Sequence, residues 1–347
     1  MTIGVAVIGA GMMGGDHARR IGSEIAGARL AALVDLDVDR ARAVAAEVNG
    51  DVLVTSDALA ALDHESVDAV IIASHDSTHA ELILAGIERG QPVLCEKPLA
   101  PTEAECQAVI DREVEYQAEH GRRLVSVGFM RRFDAGCLRL HAAVANEEFG
   151  QALMVHCLHR NVDPYPGGSD HTITGSAVHE FDFVPWLLGS PISEVAWLSG
   201  RSSSRTARID PQLLLIRTAD GVLTTLEMFI SAEYGYEVGC ETVFEHGTLR
   251  LTEPALIEVR AQRTAGIGFP ADSLPRYSAA YRVELQAWVD SIAAGGDPDP
   301  RLANAWDGLL ATRAADAMVK AMEAGDGRFL PLDALEAPAI YRDTVSA

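Results

Sequence analysis

This sequence has few basic residues for its number of acidic ones, and its cysteines are not paired. Its 28 lysines and arginines face 50 aspartates and glutamates, which gives a formal net charge of −22 at pH 7. Such a negative field repels phosphate backbones and anionic membranes, and this argues against nucleic-acid or membrane partners. The cysteines are odd in number and form no CxxC pair, so neither a disulfide framework nor a zinc site is predicted. We expect no bound metal and reduced, buried thiols at Cys95, Cys106, Cys137, Cys157 and Cys240.

Long apolar runs are also missing. No segment approaches the roughly 20 consecutive apolar residues of a membrane-spanning helix. The N-terminus leads directly into a strand pattern, without the basic and apolar regions of a signal peptide. We therefore predict a cytoplasmic protein. The 347 residues, 48% hydrophobic and 22% charged, are typical of a globular enzyme with two domains.

The first part of the chain alternates apolar runs with amphipathic helical patterns. This alternation predicts an α/β architecture with an N-terminal Rossmann domain over residues 1–127, built on a doubly wound parallel sheet. The runs that we interpret as its strands are Ile3–Ile8, Leu30–Val34, Val52–Val54, Ala69–Ala73, Val93–Cys95 and Leu124–Val127.

Residues 128–347 have a different texture and predict a second α/β domain with a large open, mostly antiparallel sheet. Because an exposed sheet face is unfavourable in water, we expect these domains to pair sheet to sheet into a homo-oligomer, either a dimer or a tetramer. Helical patterns cover Asp134–Asn146, Gly175–Leu188, Ser278–Ala293 and Ala303–Ala324. Strand patterns cover Leu153–Leu158, Val195–Leu198, Leu213–Arg217, Leu223–Ile230, Glu237–Phe244 and Ala255–Val259.

A complete GxGxxG motif follows the first strand pattern and precedes an amphipathic helix. Gly9 permits a tight turn, Gly11 lets a pyrophosphate approach the backbone, and Gly14 allows close packing of helix on strand. The helix N-terminus then offers free N–H groups to the phosphates. We predict that this loop, with Met12 and Met13 between the glycines, binds the cofactor.

Asp35 ends the second strand pattern, 21 residues after Gly14. A carboxylate there can accept hydrogen bonds from a ribose 2′-hydroxyl and would repel a 2′-phosphate, which favours NAD over NADP. The alternative for Asp35 is an exposed loop acid. Arg40 and Arg42 follow in the next helical pattern and leave some tolerance of NADP open.

Two further strand ends carry polar residues at the carboxyl edge of the predicted sheet, where such sheets bind ligands. Ser74, His75 and His79 follow the fourth strand pattern and suit a loop beside nicotinamide, although a structural role for His79 is the more common one. Glu96 and Lys97 end the fifth. A lysine there can supply the positive charge, or the base, that oxidation of a secondary alcohol requires, or it is an ordinary surface lysine.

His179 lies in the helical pattern Gly175–Leu188. Histidine is the usual proton carrier near neutral pH, and Asp182, three residues later on the same helical face, could orient its ring. A half-buried histidine with only structural contacts is the alternative. Pattern alone leaves both interpretations open.

Together with these residues, several motifs resemble the Gfo/Idh/MocA oxidoreductase family, and within it the inositol dehydrogenase branch. The similarity runs nearly end to end. It rests on Gly9–Gly14, Glu96–Pro98, Val127–Asp134, His156–Asn161, Val178–Asp182, Tyr234–Tyr236 and Ala305–Gly308.

The resemblance implies a Rossmann domain, a second domain on an open antiparallel sheet, and transfer of hydride to NAD from a ring carbon that bears a hydroxyl. By position, Lys97 matches the family lysine and His179 the family general acid/base. Arg131, Asn161 and Tyr236 match positions that line the polyol pocket.

One position departs from the pattern of the inositol branch. Its members carry an aspartate four residues before the histidine, whereas this chain has Gly175. The pocket could be enlarged for another polyol, a sugar or a glycoside. Asp170 or Asp182 could take the place of the aspartate, or proton transfer could be impaired. Two further alternatives are a non-catalytic NAD-binding protein and a family glycosidase that keeps NAD bound.

Overall fold

A computed structural model describes residues 2–162, 166–252, 258–261 and 264–342, which form two compact units. The first unit contains residues 2–133, 279–312 and 336–342, and the second contains the described parts of 134–278 together with 313–335. The sequence predicted a domain boundary between residues 127 and 128. In the structure two later segments rejoin the first unit, because they pack against its strands and helices.

The N-terminal part of the first unit alternates strands and helices, as the sequence predicts. β1 is buried at all six positions, which explains its continuous apolar run. The elements are β1 (Ile3–Ile8), α1 (Met12–Ser23), β2 (Ala28–Val34), α2 (Val38–Ala45), β3 (Leu53–Thr55), α3 (Ala58–Leu62), β4 (Ala69–Ile72), α4 (His79–Glu88), β5 (Val93–Glu96), α5 (Glu103–His120) and β6 (Val125–Gly128).

The second unit begins with a helix and continues mainly as strands. Its first helix is capped by Asp134, which accepts hydrogen bonds from the backbone N–H groups of Gly136 and Cys137. The elements are α6 (Ala135–Ala145), β7 (Ala152–Arg160), α7 (Ser169–His171), α8 (Val178–Leu188), β8 (Ile192–Ser199), β9 (Gln212–Thr218), β10 (Leu223–Phe229), β11 (Glu237–Phe244), β12 (Gly247–Arg250), β13 (Glu258–Ala261) and β14 (Thr264–Ile267).

The C-terminal part supplies elements to both units. α9 carries a kink at Tyr277. None of the helices in the described ranges has the length and apolar content needed to cross a membrane. The elements are α9 (Ser273–Ala294), β15 (Ala303–Asn304), α10 (Ala305–Ala324), β16 (Leu330–Pro331) and α11 (Ala339–Arg342).

The sheet of the first unit has seven strands in the order β15-β6-β5-β4-β1-β2-β3. β1 to β6 pair in parallel, and only β15 runs antiparallel, against β6. The predicted doubly wound parallel sheet is thus confirmed, and each predicted strand agrees within two residues. The carboxyl ends of β1, β2, β4 and β5 place Gly9, Asp35, Ser74 and Lys97 at one edge.

The large sheet of the second unit also has seven strands, in the order β12-β11-β7-β10-β9-β8-β16. All neighbours pair antiparallel except β7 and β10, which confirms the mostly antiparallel prediction. Burial alternates along β9, β10 and β11, so one face is covered and the other is open. Of the predicted strand Ala255–Val259, residues 255–257 lie outside the described residues, and β13 begins at Glu258.

Candidate active site

The glycine loop is built as its spacing predicts. Gly9 has φ +96°, and a Cβ there would overlap the carbonyl oxygen of Ala73 and lie 2.7 Å from the backbone nitrogen of Ser74. A Cβ on Gly14 would overlap the carbonyl oxygen of Gly9, since α1 packs directly on the loop after β1. A methyl group added to Gly11, by contrast, would meet no described atom within 4 Å beyond its own chain neighbours. This open space at the start of α1 leaves room for a pyrophosphate to approach the backbone.

Asp35 has a nearly buried carboxylate. Its Oδ2 accepts hydrogen bonds from the backbone N–H of Ala10 (2.7 Å) and from Nε of Arg40 (3.1 Å). Its Oδ1 accepts from the backbone N–H of Asp37 (2.8 Å) and from Nη2 of Arg40 (2.6 Å). Burial raises the pKa of Asp35, but these hydrogen bonds and the Arg40 charge outweigh it and hold the pKa below its ordinary value. Asp35 is therefore an anion positioned beside the glycine loop and not an exposed loop acid.

The loop after β4 is held by hydrogen bonds between its own residues. The hydroxyl oxygens of Ser74 and Thr78 are 2.7 Å apart, and the largely exposed His75 side chain lies 3.0 Å from the Ser77 hydroxyl. His79 is buried, with Nδ1 2.7 Å from the carbonyl oxygen of Pro98 and Nε2 3.2 Å from that of Ser74. Burial lowers the pKa of His79. These contacts support the structural interpretation, in which His79 joins this loop to the one after Lys97.

Lys97 is half-buried at the end of β5, directly after a buried carboxylate. Oε1 of Glu96 lies 2.7 Å from Nε2 of His17 on α1, and Oε2 accepts a long hydrogen bond from the backbone N–H of Lys97 (3.4 Å). Burial raises the pKa of Glu96, but His17 and Lys97 together lower it by more, so its net pKa is below the ordinary value.

His17 was not predicted from the sequence. It lies three residues after Gly14, on the first helix of the dinucleotide motif, and this spacing was the signal available for it. Arg131 lies at the far end of the same sheet edge, buried in a 3₁₀ turn (Met130–Phe133) that follows β6.

The second unit contains a buried cluster around His179. His179, Glu180 and Asp182 lie close together at the start of α8 and are 9%, 1% and 3% exposed. Nδ1 of His159, on β7, lies 3.2 Å from the Glu180 carboxylate. The ring centroid of His159 is 6.4 Å from that of His179 and 5.9 Å from that of Tyr236.

The structure thus brings three residues of the resemblance motifs together: His179, Tyr236 and His159. The pairing of His159 with Glu180 was not predicted. Asn161 follows two residues after His159, just beyond the end of β7, and its Oδ1 is buried without a hydrogen-bond partner among the described residues. A buried amide oxygen of this kind can accept a hydrogen bond from a ligand hydroxyl. The cluster therefore has the polar groups that a polyol would need.

Gly175 lies in a π-helical segment, Thr172–Ala177, which continues directly into α8. The predicted helix therefore starts earlier than Gly175, through α7 and the π turn. Such turns are frequent at functional sites. Of the two carboxylates that could replace the aspartate missing at Gly175, Asp182 is buried and lies three residues after His179, whereas Asp170 is exposed on α7. Because Asp182 is buried and lies on the same helix as His179, it is the better candidate to replace that aspartate.

All five cysteines are buried, as predicted. Within the described ranges, no group of three or more histidine, cysteine, aspartate or glutamate side chains is arranged to hold a metal ion. The strand geometry explains this for His156, Cys157 and His159, because Cys157 and His159 lie on the covered face of β7 and His156 on the open one.

Comparisons with known proteins agree with these features. The family model described as an oxidoreductase family with an NAD-binding Rossmann fold matches residues 3–129, and a GFO/IDH/MocA C-terminal domain model matches residues 137–250. An inositol 2-dehydrogenase of Paenarthrobacter aurescens is 46% identical, over 93% of this chain and 96% of that protein. One from Saccharopolyspora erythraea is 44% identical, over 98% of this chain and 99% of that protein.

A solved structure extends the similarity to the whole fold. It is the crystal structure of myo-inositol dehydrogenase from Lactobacillus casei in complex with NAD(H) and myo-inositol, which is 28% identical with a TM-score of 0.90. The alignment covers 99% of this chain and all of that one (100%). The family models and the curated relatives span the glycine loop, the Glu96-Lys97-Pro98 motif and the His179 helix. The chain belongs to the GFO/IDH/MocA family of NAD-binding oxidoreductases.

Proposed function

We propose that this protein oxidises a secondary hydroxyl on a ring carbon of a cyclic polyol to a ketone, with NAD as cofactor and an inositol as the first candidate substrate. The observation that carries the proposal is the buried cluster of His159, His179 and Tyr236. It is joined by the amide oxygen of Asn161, two residues after His159, which is buried without a hydrogen-bond partner among the described residues. Relatives at 46% and 44% identity are named inositol 2-dehydrogenases.

The cofactor fits the glycine loop of this chain. Gly9, Gly11, Gly14 and the N–H groups at the start of α1 would hold the pyrophosphate, with Met12 and Met13 in the same turn. Asp35 would hold the adenosine ribose, and the Ser74–His79 loop with Glu96 would adjoin the nicotinamide half. When bound, NAD⁺ accepts the hydride that leaves the substrate carbon.

The side chains of the protein move the proton and stabilise the oxygen. His179 takes the hydroxyl proton as general base, and Lys97 supplies positive charge where negative charge develops on the oxygen. The substrate loses a hydride and a proton in total, so a ketone is formed. Arg131, Asn161, Asp170 and Tyr236 are proposed to contact the other hydroxyls, and Asp182 to orient His179.

Gly175 supports a second candidate substrate class. A glycine occupies less volume than the aspartate of the inositol branch and cannot hydrogen-bond a substrate hydroxyl, so a sugar or glycoside with a bulkier substituent would fit there. A non-catalytic NAD-binding protein is the remaining alternative. It would bind NAD without oxidising any polyol.

Lys97→Ala tests the chemical assignment. We expect loss of turnover, with NAD affinity close to that of the wild type, because the change removes charge at the reacting oxygen but leaves the glycine loop and Asp35 intact. NAD affinity is measured by titration without substrate. Retained turnover of the variant would refute the role of Lys97.

We also propose that the open face of the large sheet pairs with a second copy of this chain, in a dimer or tetramer. Strand register places Leu158, Leu198, Leu213, Leu215 and Leu223 on this face. Leu198 and Leu213 are 39% and 37% exposed. Light scattering that shows a monomer would contradict this assembly. The cytoplasmic location stays a prediction.

A further inference from the structure

The carboxylate of Asp35 has its acceptor positions filled by groups of the protein itself. A carboxylate has about four acceptor positions on its two oxygens. Each Asp35 oxygen accepts one backbone N–H, from Ala10 or Asp37, and one N–H of the Arg40 guanidinium, at distances between 2.6 and 3.1 Å. A ribose hydroxyl can donate to this carboxylate only when one of these donors leaves.

Arg40 is the donor that can leave. The N–H groups of Ala10 and Asp37 belong to the backbone of the glycine loop and to the start of α2, where Asp37 is the N-cap. The Arg40 guanidinium reaches Asp35 at the end of a long side chain, which is 50% exposed while that of Asp35 is 6% exposed. Because an exposed arginine can change rotamer without disturbing the fold, it competes with the ribose for the same acceptors.

Arg40 also changes the charge that a nucleotide meets. An unpaired Asp35 carboxylate repels the 2′-phosphate of NADP, and this repulsion is the usual basis of selectivity for NAD. A guanidinium bound to both carboxylate oxygens neutralises that charge. Once displaced from Asp35, the guanidinium would be free to bind a phosphate, which its planar fork suits.

We infer that Arg40 is a specificity-determining residue, which competes with the ribose of NAD for Asp35 and allows the same site to accept NADP. The pair Asp35–Arg40 thus makes the protein less selective for NAD than Asp35 alone would. The inference rests only on the dinucleotide-binding part of the proposed function and is independent of the polyol.

The test is direct titration of the purified full-length protein with NAD⁺ and NADP⁺, followed by calorimetry or intrinsic fluorescence and without a polyol. For Arg40→Ala we expect the Kd of NAD⁺ to fall by about threefold and that of NADP⁺ to rise by about tenfold or more, since the carboxylate is released and left unneutralised. Arg40→Lys keeps the charge but loses the planar fork, so its NADP⁺ affinity should lie between those of the wild type and Arg40→Ala.

Arg42→Ala is the matched control. Arg42 lies on the same helix, is 67% exposed and pairs with Asp39 at 2.8 Å, so its removal makes the same change in net charge away from Asp35. We expect its ratio of NADP⁺ to NAD⁺ affinity to equal that of the wild type.

Equal weakening of both nucleotides in Arg40→Ala would overturn the inference, because it would show that Arg40 only supports the Asp35 carboxylate. An unchanged ratio, or the same change in Arg42→Ala, would overturn it as well. Thermal unfolding of each apo variant verifies that it is folded. A protein that oxidises no polyol still gives a clear answer here, so failure of the proposed reaction and failure of this inference are distinguishable.

Discussion

Replacing Gly11 with alanine should weaken NAD binding and leave the folded state intact. Around Gly11 the added methyl group meets no described atom within 4 Å beyond its chain neighbours, and the backbone φ of −70° suits alanine. Alanine is a poorer N-cap than glycine by roughly 0.5 kcal/mol. It also reduces the entropy of the unfolded chain, which stabilises by about 0.4–1 kcal/mol. The two effects offset each other, so the free energy of unfolding should change by less than about 0.5 kcal/mol.

The effect on affinity should be much larger. The methyl group fills the space in which a pyrophosphate would approach the backbone N–H groups at the start of α1. Loss of a hydrogen bond to a charged group costs about 1.5–3 kcal/mol. At roughly 1.4 kcal/mol for each factor of ten, the Kd of NAD⁺ should rise by about 10- to 100-fold.

Gly14→Ala is the matched comparison, because its methyl group would overlap the carbonyl oxygen of Gly9. The overlap forces α1 away from the loop after β1, at a cost of about 1–3 kcal/mol or more. Urea unfolding of both apo variants and titration with NAD⁺ measure the two quantities. A Gly11→Ala variant that is as unstable as Gly14→Ala, or that keeps wild-type affinity for NAD⁺, would refute the role given to the open space at Gly11.

Two further predictions concern buried polar contacts in the first unit. In Tyr341→Phe the fully buried Glu113 loses the hydroxyl that donates to its Oε2 at 2.6 Å, so stability should fall by about 1.5–3 kcal/mol. The control Tyr234→Phe, at a half-exposed phenol, should lose less, and equal losses would contradict the assignment. His79→Ala should destabilise by about 1–3 kcal/mol, whereas the exposed His75→Ala should not. Because burial lowers the pKa of His79, the unfolded state protonates this residue before the folded state does as the pH falls through about 6.5. The stability that His79 contributes is therefore lost as the pH falls, and chemical unfolding across this range should show the difference between wild type and His79→Ala narrowing. A gap that widens on acidification would refute this.

The local sequence pattern was sufficient to predict the strands of the first unit. β1 and β4 are buried along their whole length, so each is a continuous apolar run that the sequence displays directly. The glycine motif also predicts its local structure directly, since Gly9 adopts a positive φ and Gly14 allows a close packing contact. The dinucleotide half of the site could therefore be predicted from residues close together in the sequence.

Long-range pairing was not visible in the sequence. Ala303 and Asn304 form a strand against β6, 176 and 178 residues away from their partners Val127 and Ser126, where the sequence predicted the start of a helix. The π turn before α8 was missed because residues 172–177 are mostly small or polar and lack helical periodicity. The pairs His17–Glu96 and His159–Glu180 are likewise created by tertiary packing, since their partners lie on different elements.

The proposal of polyol oxidation is tested most directly by NADH formation with a panel of inositols, aldoses and glycosides, measured for the wild type with NAD and NADP in parallel. We predict turnover of at least one inositol with NAD, and loss of this turnover in His179→Ala. Turnover of sugars or glycosides alone would assign Gly175 to a pocket altered for those substrates. No turnover with any member of the panel, by a protein that still binds NAD in titration, would contradict the proposed reaction.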